Sequence, residues 1–168
     1  FVRHGQGFHN LMADLAKEAG RVWEQYSPTP DNPYTMPELL DAPLTEKGRQ
    51  QALELQPRVK AFEKKPEIVV FSPNCRALMT GVLAFQSLSD KVPFLAHEMV
   101  REESGVHTCD KRRPVSMQKT EFPQIDFGLL DSEEDPLHRE DRRENKLEVA
   151  ERIYKFMEWL KERSEKHI

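Results

Sequence analysis

The 168-residue sequence contains only two cysteines and no long hydrophobic run, and both scarcities exclude classes of protein. Cys75 and Cys109 cannot form a disulfide framework, and no CxxC pair or His/Cys cluster along the chain offers the ligands of a metal cage. No apolar stretch approaches the length of a membrane span. A formal net charge of −4 gives no support for nucleic-acid binding. We therefore expect neither membrane nor nucleic acid as a partner.

The length suits one domain over residues 1–168 with its own hydrophobic core. No internal repeat or low-complexity tract interrupts the chain. The composition agrees with a soluble enzyme, and a cytoplasmic location is the default expectation. Because the sequence lacks an initiator methionine and starts within a predicted strand, a targeting segment upstream is compatible with it.

The first five residues, Phe1-Val2-Arg3-His4-Gly5, place an apolar pair directly before an arginine and a histidine. This pattern predicts a strand whose end delivers an imidazole beside a guanidinium, while Gly5 lets the backbone turn close to a ligand. Such a pair is suited to attack and hold a phosphoryl group. A helix is predicted at roughly residues 10–20, where its first N–H groups favour an anion and Asn10 adds a donor.

Two later segments continue this arrangement of turns and helix starts. Residues 43–52 have the sequence PLTEKGRQQA, in which Thr45 is the predicted N-cap of a helix. Residues 67–71 form a predicted buried strand, and a Ser-Pro break then leads into a helix that begins near Arg76. A cation at a helix start opposes the macrodipole unless an anion lies nearby. Arg3 and Arg76 are therefore predicted to hold one phosphate from two sides.

Taken in order, these motifs resemble the histidine phosphatase superfamily, the phosphoglycerate mutase-like proteins. They are RHGxxxxN at residues 3–10, PLTEKGRxQA at 43–52, SPxxRA at 72–77 and an RE…G segment at 101–105. The resemblance is strong from Phe1 to about Gly105 and weak beyond it. Later in the chain, GVHTCDKR followed by FPQIDF is similar to plant and fungal members of the superfamily whose substrates are poorly defined.

The resemblance implies a role for each matching residue. In that family a histidine takes the phosphoryl group, two arginines and a second histidine surround it, and a carboxylic acid protonates the leaving oxygen. This implies that His4 is the nucleophile. Glu102 aligns with the acid, and Glu103 is the close alternative. The phosphate-binding positions correspond to Arg3, Asn10 and Arg76. The chemistry requires neither a metal ion nor a cofactor.

Two less regular stretches are predicted to surround the site. Residues 20–41 form a proline-rich insertion, whose aromatic side chains either overhang the site or pin the loop to the body of the domain. Residues 106–135 correspond to the substrate cap of the family. Within them, Arg112 and Arg113 either bind a second phosphate or a carboxylate of the substrate, or form a solvated charge run paired with nearby acids.

The last helix predicted is amphipathic and covers residues 147–163, with an apolar stripe. The stripe comprises Val149, Ile153, Phe156, Met157 and Leu160. The alternation of strands and helices predicts an α/β fold, a three-layer α/β/α sandwich. In the family, the second histidine follows such a helix in an HGG-like or HSG-like motif. His167-Ile168 are predicted to enter that strand, so strands would be truncated at both chain ends.

From this arrangement we expect the gene to continue past Ile168 into a His-Gly or His-Ser motif, and the short chain alone to be poorly active and prone to association.

The sequence predicts a phosphomonoester hydrolase or phosphotransfer enzyme that acts on a small phosphorylated metabolite through phosphohistidine. A mutase is one alternative, although glycolytic mutases normally carry RHGE and a tryptophan where Gln6 and His9 stand. The other is a catalytically weak pseudoenzyme or interaction module. Three further histidines, His9, His97 and His138, are interpreted as surface or packing residues.

Overall fold

The computed structural model describes all residues, 1–168, and shows an α/β fold in which helices predominate. The helices are α1 (Phe8–Glu18), α2 (Glu46–Leu53), α3 (Gln56–Lys60), α4 (Cys75–Ala84), α5 (Val115–Glu121) and α6 (Lys146–Lys161). The strands are β1 (Val69–Phe71) and β2 (Phe94–Ala96). Short 3₁₀ helices span Pro33–Thr35, Pro37–Leu39, Gln86–Leu88, Glu98–Val100 and Thr108–Asp110. None of the helices has the combination of length and apolar character that crossing a membrane requires.

The sheet consists of β1 and β2, which pair in parallel with Val69 opposite Phe94. Helix α4 connects them, as a parallel pair requires a crossover. An isolated parallel bridge between Leu95 and Asp126 extends the pairing beyond β2. The structure confirms the α/β class and the predicted buried strand, but a two-stranded sheet does not confirm the three-layer sandwich.

The strands predicted at both chain ends are wrong. Phe1 is fully exposed and Val2 is half-exposed, and neither belongs to a strand. A strand persists only where a neighbour accepts its backbone hydrogen bonds, and the apolar pair has no such neighbour here. At the other end, the carbonyl of His167 accepts a hydrogen bond from the backbone N–H of Glu67 at 2.8 Å, yet a single bond forms no ladder.

Local signals predicted the first two helices well. Helix α1 begins two residues before the predicted start, because the Asn10 side chain accepts a hydrogen bond from the backbone N–H of Gly7 and closes a capping arrangement. Thr45 is the N-cap of α2, as predicted, and its hydroxyl accepts a hydrogen bond from the N–H of Gly48 at 3.1 Å. Each contact satisfies an N–H that would otherwise have no partner inside its helix.

The main core contains 16 buried apolar residues and lies around the sheet and α4. The rings of Phe71 on β1 and Phe94 on β2 lie 5.1 Å apart and tilted, a favourable geometry for aromatic pairs. Helix α4 approaches β1 closely at Gly81, where a Cβ atom would lie 2.1 Å from the Phe71 ring. This packing sets the position of the first turn of α4, which carries Arg76.

Helix α6 is amphipathic, but the face it buries differs from the predicted stripe. Ile153 and Met157 of that stripe are 49% and 47% exposed, whereas Phe156 is buried. Arg152 is also buried, and its guanidinium pairs with Glu144 at 2.8 Å while donating to carbonyl groups near Arg101. The buried ion pair therefore sets which face of the helix is buried. The spacing of apolar residues does not predict this rotation.

Candidate active site

The loop that carries His4 packs backbone to backbone against the first turn of α2. A Cβ atom on Gly5 would lie 2.4 Å from the carbonyl oxygen of Gly48, and one on Gly48 would lie 2.1 Å from that of Gln6. The backbone N–H of Thr45 donates to the same Gln6 carbonyl at 2.9 Å. Only glycine permits this approach, so the RHG and PLTEKG motifs fit together as one unit.

His4 is half-buried, and its Nδ1 lies 2.6 Å from the carbonyl oxygen of Gly5. Because a carbonyl only accepts, Nδ1 carries the proton and Nε2 of the neutral ring keeps a free lone pair. Burial has the largest effect on the pKa of His4 and lowers it, while the bond to Gly5 acts in the opposite direction. The positive charges of Arg76 and Arg3 lower this pKa further, and the charge of Glu102 raises it.

Three of the site residues predicted from the sequence lie near His4. Arg3, Arg76 and Glu102 all lie close enough to His4 for their charges to act on its ring. The net lowering of the pKa favours the neutral imidazole, which is the nucleophilic form.

Arg76 is 1% exposed and lies in the first turn of α4. Its Nη1 donates to the carbonyl of Cys109 at 2.7 Å, and its Nη2 pairs with Oδ1 of Asp110 at 2.7 Å. The macrodipole argument from sequence predicted a phosphate near this helix start, and Asp110 already supplies one anion there. A guanidinium has five N–H donors. The buried Nε of Arg76 has no acceptor in the protein, and Nη1 and Nη2 each use one of their two N–H groups, so three donors stay unused. Buried donors without acceptors are costly, so this site favours an anionic ligand.

Arg3 and Asn10 are the other two residues predicted to bind the phosphate. Arg3 is exposed and helps to line an open cleft of about 240 Å³. The other lining residues are His4, Gly5, Gln51, Ala52, Leu55 and Thr80. The side-chain oxygen of Asn10 is occupied by its hydrogen bond from Gly7 at 3.0 Å, which leaves its amide nitrogen available. Phosphate contact by Asn10 stays a prediction.

The two candidate acids have different surroundings. Oε1 of Glu103 accepts a hydrogen bond from Nε of Arg143 at 3.2 Å, and its backbone carbonyl accepts another from the same side chain at 2.7 Å. The carboxylate of Glu102 is exposed, has no hydrogen-bond partner and acts electrostatically on His4. The geometry therefore favours Glu102 over Glu103 as the proton donor, and its role stays a prediction.

The expected substrate contacts of Arg112 and Arg113 need correction. Arg112 is fully buried, pairs with Glu98 at 3.0 Å and donates its other N–H groups to backbone carbonyls. Those carbonyls belong to Arg113, Ser132, Glu133 and Glu134. No donor is left for a substrate. Arg113 pairs with Glu121 at 2.7 Å and with Asp41 at 3.4 Å, which matches the charge-run alternative.

An aromatic cluster lies beside the nucleophile, and it bears on the two alternatives left open for the aromatic side chains of residues 20–41. The ring of His9 lies 5.7 Å from that of His4, and burial lowers the pKa of His9 to about 3, so it is a neutral packing residue as interpreted. Tyr34, from the 20–41 insertion, stacks on His107 at 4.9 Å and lies 6.2 Å from His9. The insertion thus packs over residues that adjoin His4. The aromatic content of this proline-rich loop was the available signal.

Three potential metal ligands lie together within residues 107–110, although the sequence analysis did not single them out as a metal cluster. Donor atoms of His107, Cys109 and Asp110 lie within 4.8 Å of one another. However, the carboxylate of Asp110 already pairs with Arg76 at 2.7 Å and with Arg143 at 2.8 Å. Two guanidinium groups at this distance repel a further cation, so the cluster fits an arginine-binding role better than a metal site.

Comparison with protein families decides the relationship. The family model of the histidine phosphatase superfamily (branch 1) matches residues 31–168, more than half of the chain. This protein belongs to the histidine phosphatase superfamily. The resemblance based on motifs is therefore confirmed, although the matched range begins after the histidine phosphatase-like RHG segment that contains His4.

Individual relatives agree with this assignment and come from plants and fungi. Two Arabidopsis thaliana proteins named phosphoglycerate mutase-like protein and phosphoglycerate mutase-like protein 1 are 33% and 34% identical over 99% of this chain. A probable phosphoglycerate mutase of Arthroderma benhamiae is 30% identical over 93% of the chain. The alignments cover 67%, 64% and 48% of these three relatives, so the chain spans about half to two thirds of their length.

Proposed function

We propose that this histidine phosphatase superfamily member removes or transfers the phosphoryl group of a small phosphomonoester through a phosphohistidine on His4, without a metal ion. The observation that carries the proposal is the pairing of a neutral, half-buried imidazole with a buried guanidinium that keeps three unused donors. Phosphotransfer or phosphatase activity in general agrees with the family and with the names of the relatives.

In the first step, Nε2 of His4 attacks the phosphorus atom, so a P–N bond forms as the P–O ester bond breaks. Glu102, in its protonated form, supplies the proton that the departing alkoxide takes up. In the second step, water attacks the phosphohistidine, a P–O bond forms and the P–N bond breaks. Glu102 then accepts the proton of the water, which restores the starting state.

The arginines supply the electrostatic part of this mechanism. The phosphoryl oxygens carry negative charge throughout the transfer, and planar guanidinium groups match their geometry better than a lysine ammonium does. Arg76 is held rigidly by Asp110 and a carbonyl, so its free donors are already oriented before a substrate binds. Arg3 approaches from the exposed side of the loop.

The experiment uses the purified protein, nitrophenyl phosphate and excess chelator. Wild-type protein is expected to release phosphate, His4→Ala is expected to lose this activity while keeping its fold, and the trapped phosphoenzyme should be acid-labile with its label on His4. His167→Ala is the matched control, because that side chain makes no hydrogen bond and lies far along the chain from the RHG loop. Label on a serine or cysteine, or activity in His4→Ala, would refute the mechanism.

A further inference from the structure

Asp110 is the central anion of the buried network beside the site. Its Oδ1 pairs with Nη2 of Arg76 at 2.7 Å, and its Oδ2 pairs with Nη1 of Arg143 at 2.8 Å. Nδ1 of His107 lies 3.5 Å from the same Oδ2. The Asp110 side chain is 6% exposed, so both ion pairs are shielded from solvent.

The second guanidinium connects this carboxylate to the loop that carries the candidate acid. Arg143 donates to the carbonyl oxygens of Glu103 and Gly105 at 2.7 and 2.8 Å. Gly105 and Val106 both have positive φ angles, +100° and +56°, and the second is unfavourable for a β-branched residue. Such a turn persists only where surrounding contacts hold it, and Arg143 provides two of them.

We propose that Asp110 is a positioning residue that orients Arg76 toward the phosphate and, through Arg143, holds the loop bearing Glu102 in register with it. This inference rests on the proposed phosphoryl transfer at His4. One carboxylate thereby sets the relative placement of the phosphate-binding and proton-donating groups. Asp110 itself contacts neither substrate nor the reacting atoms.

The alternative is that Asp110 is a simple counterion, and the two roles predict opposite effects on anion binding. Removing a counterion adds positive potential at the site and should tighten the binding of a phosphate analogue. Removing a positioning contact frees Arg76 to change rotamer, so the analogue should bind more weakly although the site has gained positive charge. A misplacement of about 1 Å can reduce the reaction rate by about 100-fold.

The first test measures vanadate affinity in wild-type protein and in Asp110→Asn. We expect at least a tenfold weaker vanadate affinity in the variant. We also expect the acidic limb of its pH–activity profile to move to higher pH, because a displaced Arg76 no longer lowers the pKa of His4. Unchanged or tighter vanadate binding, or a limb that moves to lower pH, would overturn the positioning role. A wild-type protein that does not bind vanadate would refute the proposed function itself.

Two further variants keep the test decisive. In an Arg76→Lys background, Asp110→Asn should have little additional effect on vanadate affinity, because both changes remove the same oriented group. Fully additive losses would show that Asp110 does not act through Arg76. If Asp110→Asn fails to fold, Asp110→Glu retains the charge but moves the carboxylate by one methylene, and vanadate affinity equal to that of wild type in this variant would contradict the proposal.

Discussion

The close contact between the His4 loop and helix α2 makes Gly48→Ala an informative substitution. The added methyl group would lie 2.1 Å from the carbonyl oxygen of Gln6, whereas carbon–oxygen contacts are normally about 3.3 Å or longer. The atoms it meets belong to the backbone, so no side chain can rotate away. The loop or the helix therefore has to move by about 1 Å.

Two opposing effects determine the stability of this variant. Overpacking of a buried position costs about 1–3 kcal/mol, and contact with backbone places this case at the upper end. Alanine is favoured over glycine within a helix by about 1 kcal/mol. The expected net loss is about 2 kcal/mol, which for a chain of this length lowers the melting temperature by about 4–8 °C.

Activity should respond more strongly than stability, because Gln6 is only two residues from His4. A shift of about 1 Å in a catalytic group can reduce the rate by about 100-fold, so we expect kcat/KM to fall at least tenfold. Thermal unfolding and hydrolysis of nitrophenyl phosphate measure the two effects. Gln50→Ala, at an exposed position of the same helix, is the control and should change stability by no more than about 0.5 kcal/mol. A Gly48→Ala protein with unchanged melting temperature and activity would refute the close-packing argument.

Four other predictions concern individual site and core residues. Arg76→Lys retains charge but loses the oriented guanidinium group, so vanadate affinity should fall about tenfold or more, and wild-type affinity in this variant would contradict the phosphate-binding role of Arg76. Glu102→Gln should slow hydrolysis of alkyl phosphates far more than of nitrophenyl phosphate, whose leaving group needs no proton; the same selectivity in Glu103→Gln alone would reassign the acid. Burial and nearby arginines lower the pKa of His4 from the ordinary histidine value of 6.5, so the imidazole stays neutral to a lower pH. The acidic midpoint of the kcat/KM profile should therefore lie below pH 6.5. Arg112→Met should destabilise the fold by about 3–5 kcal/mol in urea unfolding, with KM unchanged in the folded protein, since it removes one of the two arginine partners of the buried Glu98 and the donors of several backbone carbonyls.

Local sequence signals were sufficient for several elements of this protein. The caps of α1 and α2 depend on side chains within three residues of the helix start. Thr45 was predicted as a cap from this signal alone, whereas Asn10 was predicted only as a phosphate contact. The buried strand before Arg76 was predicted from a continuous apolar run. The ordered motifs also identified the family, because each motif is short and contiguous.

The tertiary structure decided which charged residues are available for function. Arg76 and Arg112 both appear in sequence as arginines near a predicted site, yet Arg112 has every donor occupied and Arg76 keeps three free. Asp110, the partner of Arg76, lies more than 30 positions away along the chain. Most partners of Arg112 lie in two other segments, at Glu98 and at residues 132–134. No local pattern records them.

The same reasoning explains the predictions about whole elements that were wrong. The rotation of α6 depends on the ion pair between Arg152 and Glu144, and the predicted strand at Phe1-Val2 has no neighbouring backbone to accept its hydrogen bonds. The sequence alone determines where helices start, which segments are apolar and which family the motifs match. Only the folded chain decides which distant segments pair, because desolvation and hydrogen bonding depend on neighbours that folding brings together. This pairing leaves Arg76 with free donors and Glu102 with an unpaired carboxylate.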